Sequence, residues 1–86
     1  MPYITPQKRS KFSDANMEDI FDNITNAGEF NYILSLMCKR YIKNQNLNYQ
    51  TLNDIVGAME CCKLELTRRV ISPYEDTKIK SNGDVY

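Results

Sequence analysis

The run Tyr49-Gln50-Thr51-Leu52-Asn53-Asp54-Ile55-Val56-Gly57-Ala58-Met59-Glu60-Cys61-Cys62-Lys63-Leu64-Glu65-Leu66-Thr67-Arg68-Arg69-Val70-Ile71 decides the fold class. Leu52, Ile55, Val56, Met59, Leu66 and Val70 fall on one face of a helix of 3.6 residues per turn. Asn48 can cap its start. Ser72-Pro73 ends it, because the residue before a proline avoids the α region. A weaker second stripe runs through Gly57, Cys61, Leu64 and Ile71. Glycine inside a helix costs about 1 kcal/mol relative to alanine, and close approach of another helix along Gly57-xxx-Cys61 would justify it. A helix with two apolar faces needs two sets of neighbours. In a chain of 86 residues, one set is expected to be another subunit, with Gly57, Cys61, Leu64 and Ile71 at the interface.

Working outward, the same period appears twice upstream. Met17, Ile20, Phe21 and Ile24 mark a helix over 14–27, with Asp14, Glu18 and Asp19 near its amino end and Gly28 as its stop. Phe30, Ile33, Leu34, Met37 and Tyr41 mark a helix over 29–43, closed by Lys39, Arg40 and Lys43, with 44–48 as a connection. Thr5-Pro6 opens a short helix within an amino-terminal arm, 1–13. Downstream, Ser72-Pro73-Tyr74-Glu75 reads as a capping box starting a short helix over 73–81, and Asn82-Gly83 stops it, leaving 82–86 as a tail. The expected architecture is all-α: one small helical bundle of three main helices plus a short carboxyl-terminal helix, assembled as a homo-oligomer.

Composition narrows the class further. A domain this small buries only about 60% of its unfolded surface, so disulfides, a metal or oligomerisation usually supplement its stability. The cysteines are three, Cys38, Cys61 and Cys62, an odd number at spacings that match no disulfide framework. They read as packed thiols in a reducing compartment. With no histidine and no CxxC pair, neither a structural zinc site nor histidine-based nucleophilic catalysis is expected. No secretory leader or apolar run near 18 residues stands out, so neither membrane insertion nor secretion is expected, and the expected location is the cytoplasm. Eleven basic and eleven acidic residues give a net charge of zero, which argues against general nucleic-acid binding. The charges are nevertheless blocked: Lys8, Arg9 and Lys11, then Asp14, Glu18, Asp19, Asp22 and Glu29, then Lys39, Arg40 and Lys43, then Arg68 and Arg69. Such blocks are either solvated faces or pairing surfaces between subunits.

Few residues suggest chemistry. Glu18, Asp19 and Asp22 invite comparison with helical magnesium sites, but such sites need carboxylates from two helices. Glu60 and Glu65, five residues apart, do not supply the second set. Lys63 falls within the main apolar stripe and either lays its stem on the core or meets an anion at an interface. Arg68 and Arg69 precede the expected helix start at Pro73, where unpaired N–H groups and guanidiniums would together suit a phosphate. The alternative is that they offset the helix dipole and pair with Glu65, Glu75 or Asp76. Tyr41 reads as core, whereas Tyr3, Tyr74 and Tyr86 are placed to stack on a base or a partner ring. The candidate ligand residues are thus Lys63, Arg68, Arg69 and Tyr74, with no cofactor and no enzymatic activity expected.

Several segments together carry a resemblance. They are Met1-Pro2-Tyr3-Ile4-Thr5-Pro6, Glu29-Phe30-Asn31-Tyr32-Ile33, and Cys62-Lys63-Leu64-Glu65-Leu66 continuing through Arg68-Arg69 to Pro73-Tyr74-Glu75-Asp76. The ending Lys78-Ile79 and Asn82-Gly83-Asp84-Val85-Tyr86 completes a PYED-x-KI-x-x-NGDVY signature. The chain resembles a family of short uncharacterised proteins found in bacteriophage and bacterial genomes. That setting implies a location in the host bacterial cytoplasm and a role in binding rather than catalysis. One such role is anti-defence: an oligomer that sequesters an anionic, nucleotide-like immune signal between subunits, here at Lys63, Arg68, Arg69 and Tyr74. The other is a protein–protein adaptor or inhibitor of a host factor that takes no small ligand.

Overall fold

The computed structural model describes residues 2–86, with Ala15 described by its backbone. Met1, the first residue of the expected arm, lies outside the described residues. Every regular element among the described residues is helical. Tyr3–Ile55 and, together with Pro2, Val56–Tyr86 form two units.

The first unit begins with α1, Pro6–Arg9, where the Thr5 hydroxyl accepts the Lys8 N–H at 3.3 Å and proline occupies the first helical position. A 3₁₀ turn, Ser10–Phe12, follows. Helix α2, Ala15–Asp22, starts at Asp14, whose carboxylate accepts the Met17 N–H at 2.9 Å. It ends five residues before its expected end at residue 27. The Asn23 amide nitrogen bonds back to carbonyls of the last turn, and its side chain donates to the Asp19 carbonyl at 2.9 Å.

Gly28 is therefore no terminator. It lies in the first turn of α3, Ala27–Gln45, which Asn26 caps by accepting the Glu29 N–H at 2.9 Å. Asn26 and Glu29 stand at the spacing of a capping box, and Glu29 reaches back past the cap to Thr25. A Cβ at position 28 would stand 3.4 Å from the Asn26 side-chain oxygen, an ordinary contact, so the first turn does not depend on the glycine. Helix α3 stops where Asn46 takes a positive φ of 77°. Helix α4, Tyr49–Leu66, then starts from Asn48, whose side chain accepts the Thr51 N–H at 2.9 Å, as its position implied.

The largest departure from expectation is in the second unit. Ser72-Pro73 does not break the helix. A π turn, Thr67–Ile71, links α4 directly to α5, Ser72–Asn82, and Ile71 and Ser72 both keep helical backbone angles. Proline in a helix cannot donate, and its ring collides with the carbonyl four residues back. Widening the turn resolves the conflict: the Ser72 N–H bonds to the Thr67 carbonyl five residues back, and the backbone passes Pro73 without a break. Helix α5 ends as expected at Gly83, with φ at 92° and its N–H on the Ile79 carbonyl at 2.9 Å.

No hydrophobic side chain among the described residues is buried; Thr51 alone is. Of the residues expected as core, Ile24, Ile33, Leu34 and Ile55 are half-buried and many others stay open in both units. Phe30 is 56% exposed, Met37 60% and Tyr41 39% in the first, and Val56 67% and Val70 56% in the second.

Candidate functional site

The expected ligand residues all lie in the second unit, on one unbroken helical run, and they do not converge. Steps of about 100° per residue put Arg68 and Arg69 on different sides of the helix from Lys63. The Lys63 ammonium meets the Glu60 carboxylate at 3.0 Å, one turn back, with both side chains more than half exposed. The Arg68 guanidinium forks onto the Glu65 carboxylate, with its Nε 3.1 Å from Oε1 and its Nη2 on the same oxygen. Tyr74 is exposed, and the Lys78 ammonium sits 5.3 Å from the centre of its ring.

The helix start expected at Pro73 is absent. No side chain caps residue 72, and the Ser72 N–H is used within the π turn. The phosphate cradle expected beside Arg68 and Arg69 therefore lacks its backbone donors, because a continuous helix consumes them internally. Arg69 remains within the π turn, but no free helix end accompanies it.

The residues expected at an interface line up more simply. A Cβ added at Gly57 would meet nothing within 4 Å, so the space the glycine opens is unfilled within this chain. Leu64 is 56% exposed and Ile71 42%, while Cys61 is half-buried. Cys38, Cys61 and Cys62 are all thiols. Among the described residues, no cluster of carboxylates and thiols could hold a metal ion, and no helix is long and apolar enough to cross a membrane.

A concavity in the first unit was not anticipated. It is a groove of about 570 Å³ between α2 and α3. Met17, Ile20 and Phe21 line one wall; Ile33, Leu36 and Met37 line the other. Lys39, Arg40 and Lys43 continue the α3 wall as a basic rim. The signal was in the sequence: Leu36, Lys39, Arg40 and Lys43 are spaced three, one and three, so they share a face. Reading the three cations only as charges closing a helix end hid their adjacency to the apolar wall.

Electrostatically, the groove is one-sided. Along α2, Glu18 and Asp22 do not line the groove and lie about 100–160° around the helix from Met17 and Ile20. None of Glu18, Asp22, Arg40 or Lys43 forms a salt bridge among the described residues. Helix α3 itself is anchored at its start by Glu29. The Thr25 N–H, and then the Thr25 hydroxyl, hold the Glu29 carboxyl below its ordinary range.

Comparison with known proteins matches residues 1–85 to a family described as a domain of unknown function, DUF6899. No curated protein and no solved structure matches the chain.

Proposed function

The chain belongs to the DUF6899 family, and we propose that it is a non-enzymatic interaction protein that works by covering its helical faces with other protein chains, copies of itself first. One observation carries the reading: no apolar side chain among the described residues is buried. Ordering a residue's backbone costs about 1–2 kcal/mol, and burial of apolar surface is the main term that offsets it. Helices whose apolar stripes stay open draw that term from neighbours. Exposed apolar patches on this scale mark interaction surfaces.

Copies of the same chain are the first neighbours to consider. The charge is balanced overall and blocked locally, a pattern that suits association of like chains. A bacterial cytoplasmic target, bound as an adaptor or inhibitor would bind it, follows for any face the assembly leaves open. The alternative, a sequestered nucleotide-like anion, has less support: Arg68 is engaged by Glu65 and Lys63 by Glu60, and the expected helix end beside Arg68 and Arg69 is part of a continuous helix.

Sedimentation equilibrium together with thermal unfolding across a hundredfold range of concentration tests the proposal. The expected result is a defined oligomer whose Tm rises by roughly 3–6 °C per tenfold increase in chain concentration. A monomer with a cooperative, concentration-independent transition would show that the chain covers its own faces, and would sink the proposal.

A further inference from the structure

We propose that Asn82-Gly83 is a site of spontaneous, one-way modification, and that the cap of α5 sets its rate. The Asn82 side chain loses ammonia through a cyclic imide and becomes a carboxylate. Asn82 is the only asparagine in the chain followed by glycine. That order matters because the attacking atom is the backbone nitrogen of the next residue, and glycine alone puts no Cβ beside it. Both residues are exposed. Neighbouring groups leave the Asn82 amide alone: the Ser81 hydroxyl donates to the Lys78 carbonyl at 3.4 Å, and Asp84 Oδ1 accepts the N–H groups of Val85 and Tyr86 at 2.7 and 3.1 Å. The attacking nitrogen, by contrast, is held. Asn82 is the last residue of α5, and the Gly83 N–H donates to the Ile79 carbonyl at 2.9 Å.

Only the chain and water take part. Once its proton is lost to solvent, the Gly83 nitrogen attacks Cγ of Asn82. A C–N bond forms, the bond from Cγ to the side-chain nitrogen breaks, and ammonia leaves. Water then opens the imide. Opening at Cγ gives aspartate; opening at the former backbone carbonyl gives isoaspartate, whose chain runs through the side chain. Neither returns to asparagine. A Gly83 N–H bonded to Ile79 is not available for the first step, so the reaction waits for the last turn to open, and helix ends open readily. The product places a negative charge on the last residue of α5, where the end of the helix dipole is already negative and Asp84 adds a like charge two residues on. Lys78, four residues back, precedes the new acid, the weaker order for a helical pair. Modification thus loosens the cap that restrained it.

Ageing the whole chain in mildly alkaline buffer, with peptide mass mapping over time, tests the site. Conversion is expected at residue 82, with aspartate and isoaspartate both present, ahead of every other asparagine. The same measurement in urea removes the cap, and the rate should rise roughly three- to thirtyfold. Gly83→Ala is compared with the parent in urea, where the cap plays no part; its Cβ crowds the attacking nitrogen and should slow conversion several-fold. Asn82→Asp carries the charge of the product, and its Gly83 amide proton should exchange roughly two- to fivefold faster than the parent's. No conversion at residue 82, or conversion no faster than at other asparagines, overturns the site. Equal rates in buffer and in urea overturn the gate, and an unchanged rate in Gly83→Ala overturns the imide route. Amide exchange in Asn82→Asp no faster than in the parent overturns the loosening of the cap.

Discussion

Oε1 of Glu29 accepts hydrogen bonds from both the backbone N–H and the hydroxyl of Thr25, each at 2.9 Å. The first of these, reinforced by the second, holds the Glu29 carboxyl below the ordinary carboxylate range. The sign of the consequence follows from linkage. A carboxyl whose pKa is depressed on folding contributes stability that is fully present above about pH 4.5. That contribution is lost as the pH falls through the lower folded value.

The start of α3 should therefore loosen on acidification. In the parent, helicity and Tm are expected to fall as the pH drops below the ordinary carboxylate range. Glu29→Gln should be less stable at neutral pH and should lack this component of the acid dependence. Thermal unfolding of both proteins between pH 3 and 7 checks it. Parallel pH profiles for the two would exclude Glu29 as the origin.

The cap itself offers a second, pH-independent test. Asn26 satisfies the Glu29 N–H at the first turn of α3, and Asn48 satisfies the Thr51 N–H at the first turn of α4. Asn26→Ala and Asn48→Ala should each lower stability by about 1 kcal/mol. Thr51 is the one buried residue among those described, so the Asn48 variant is expected to be the more costly of the two. Urea denaturation measures both; equal and negligible losses would mean that neither helix start is formed as described.

Gly57 separates the single chain from its assembly. With nothing within 4 Å of a Cβ there, Gly57→Ala should gain helix propensity, raising stability by about 1 kcal/mol. A gain in Tm without any change in oligomeric state is the expected outcome. A loss of oligomer on the same substitution would instead place a neighbouring helix of another copy against Gly57, the role its spacing with Cys61 suggested.

What the sequence made legible was local and periodic. Spacings of three and four located the helices around Ile20, Ile33 and Val56, and Asn48 and Gly83 marked real ends. What it concealed was competition between signals. Gly28 reads as a stop in isolation, but Asn26 and Glu29 form a helix start around it, and the cap outweighs the glycine. Ser72-Pro73 reads as a break, yet one extra residue per turn lets the helix continue through it. The expected ligand site depended on that break and changed with it. The α2–α3 groove escaped notice because it is built from two helices, and no single periodicity displays two walls facing each other.

Pro73 gives the last prediction. In an α register its ring would meet the Arg69 carbonyl, and position 73 offers no N–H, so the helix widens over Thr67–Ile71 and the Ser72 N–H reaches the Thr67 carbonyl. Remove the ring and the reason for the wide turn goes with it. In Pro73→Ala an N–H becomes available for the Arg69 carbonyl, α geometry can run uninterrupted from Tyr49 to Asn82, and stability should rise by about 1–3 kcal/mol. Carbon chemical shifts of residues 66–74 should move towards α-helical values, and the amide of residue 72 should shift its bond to the carbonyl of Arg68. If the substitution destabilises the protein and leaves the π turn in place, proline is not its cause. The turn would then be held by contacts of its side chains, among them Thr67, whose hydroxyl already donates to the Lys63 carbonyl at 2.8 Å.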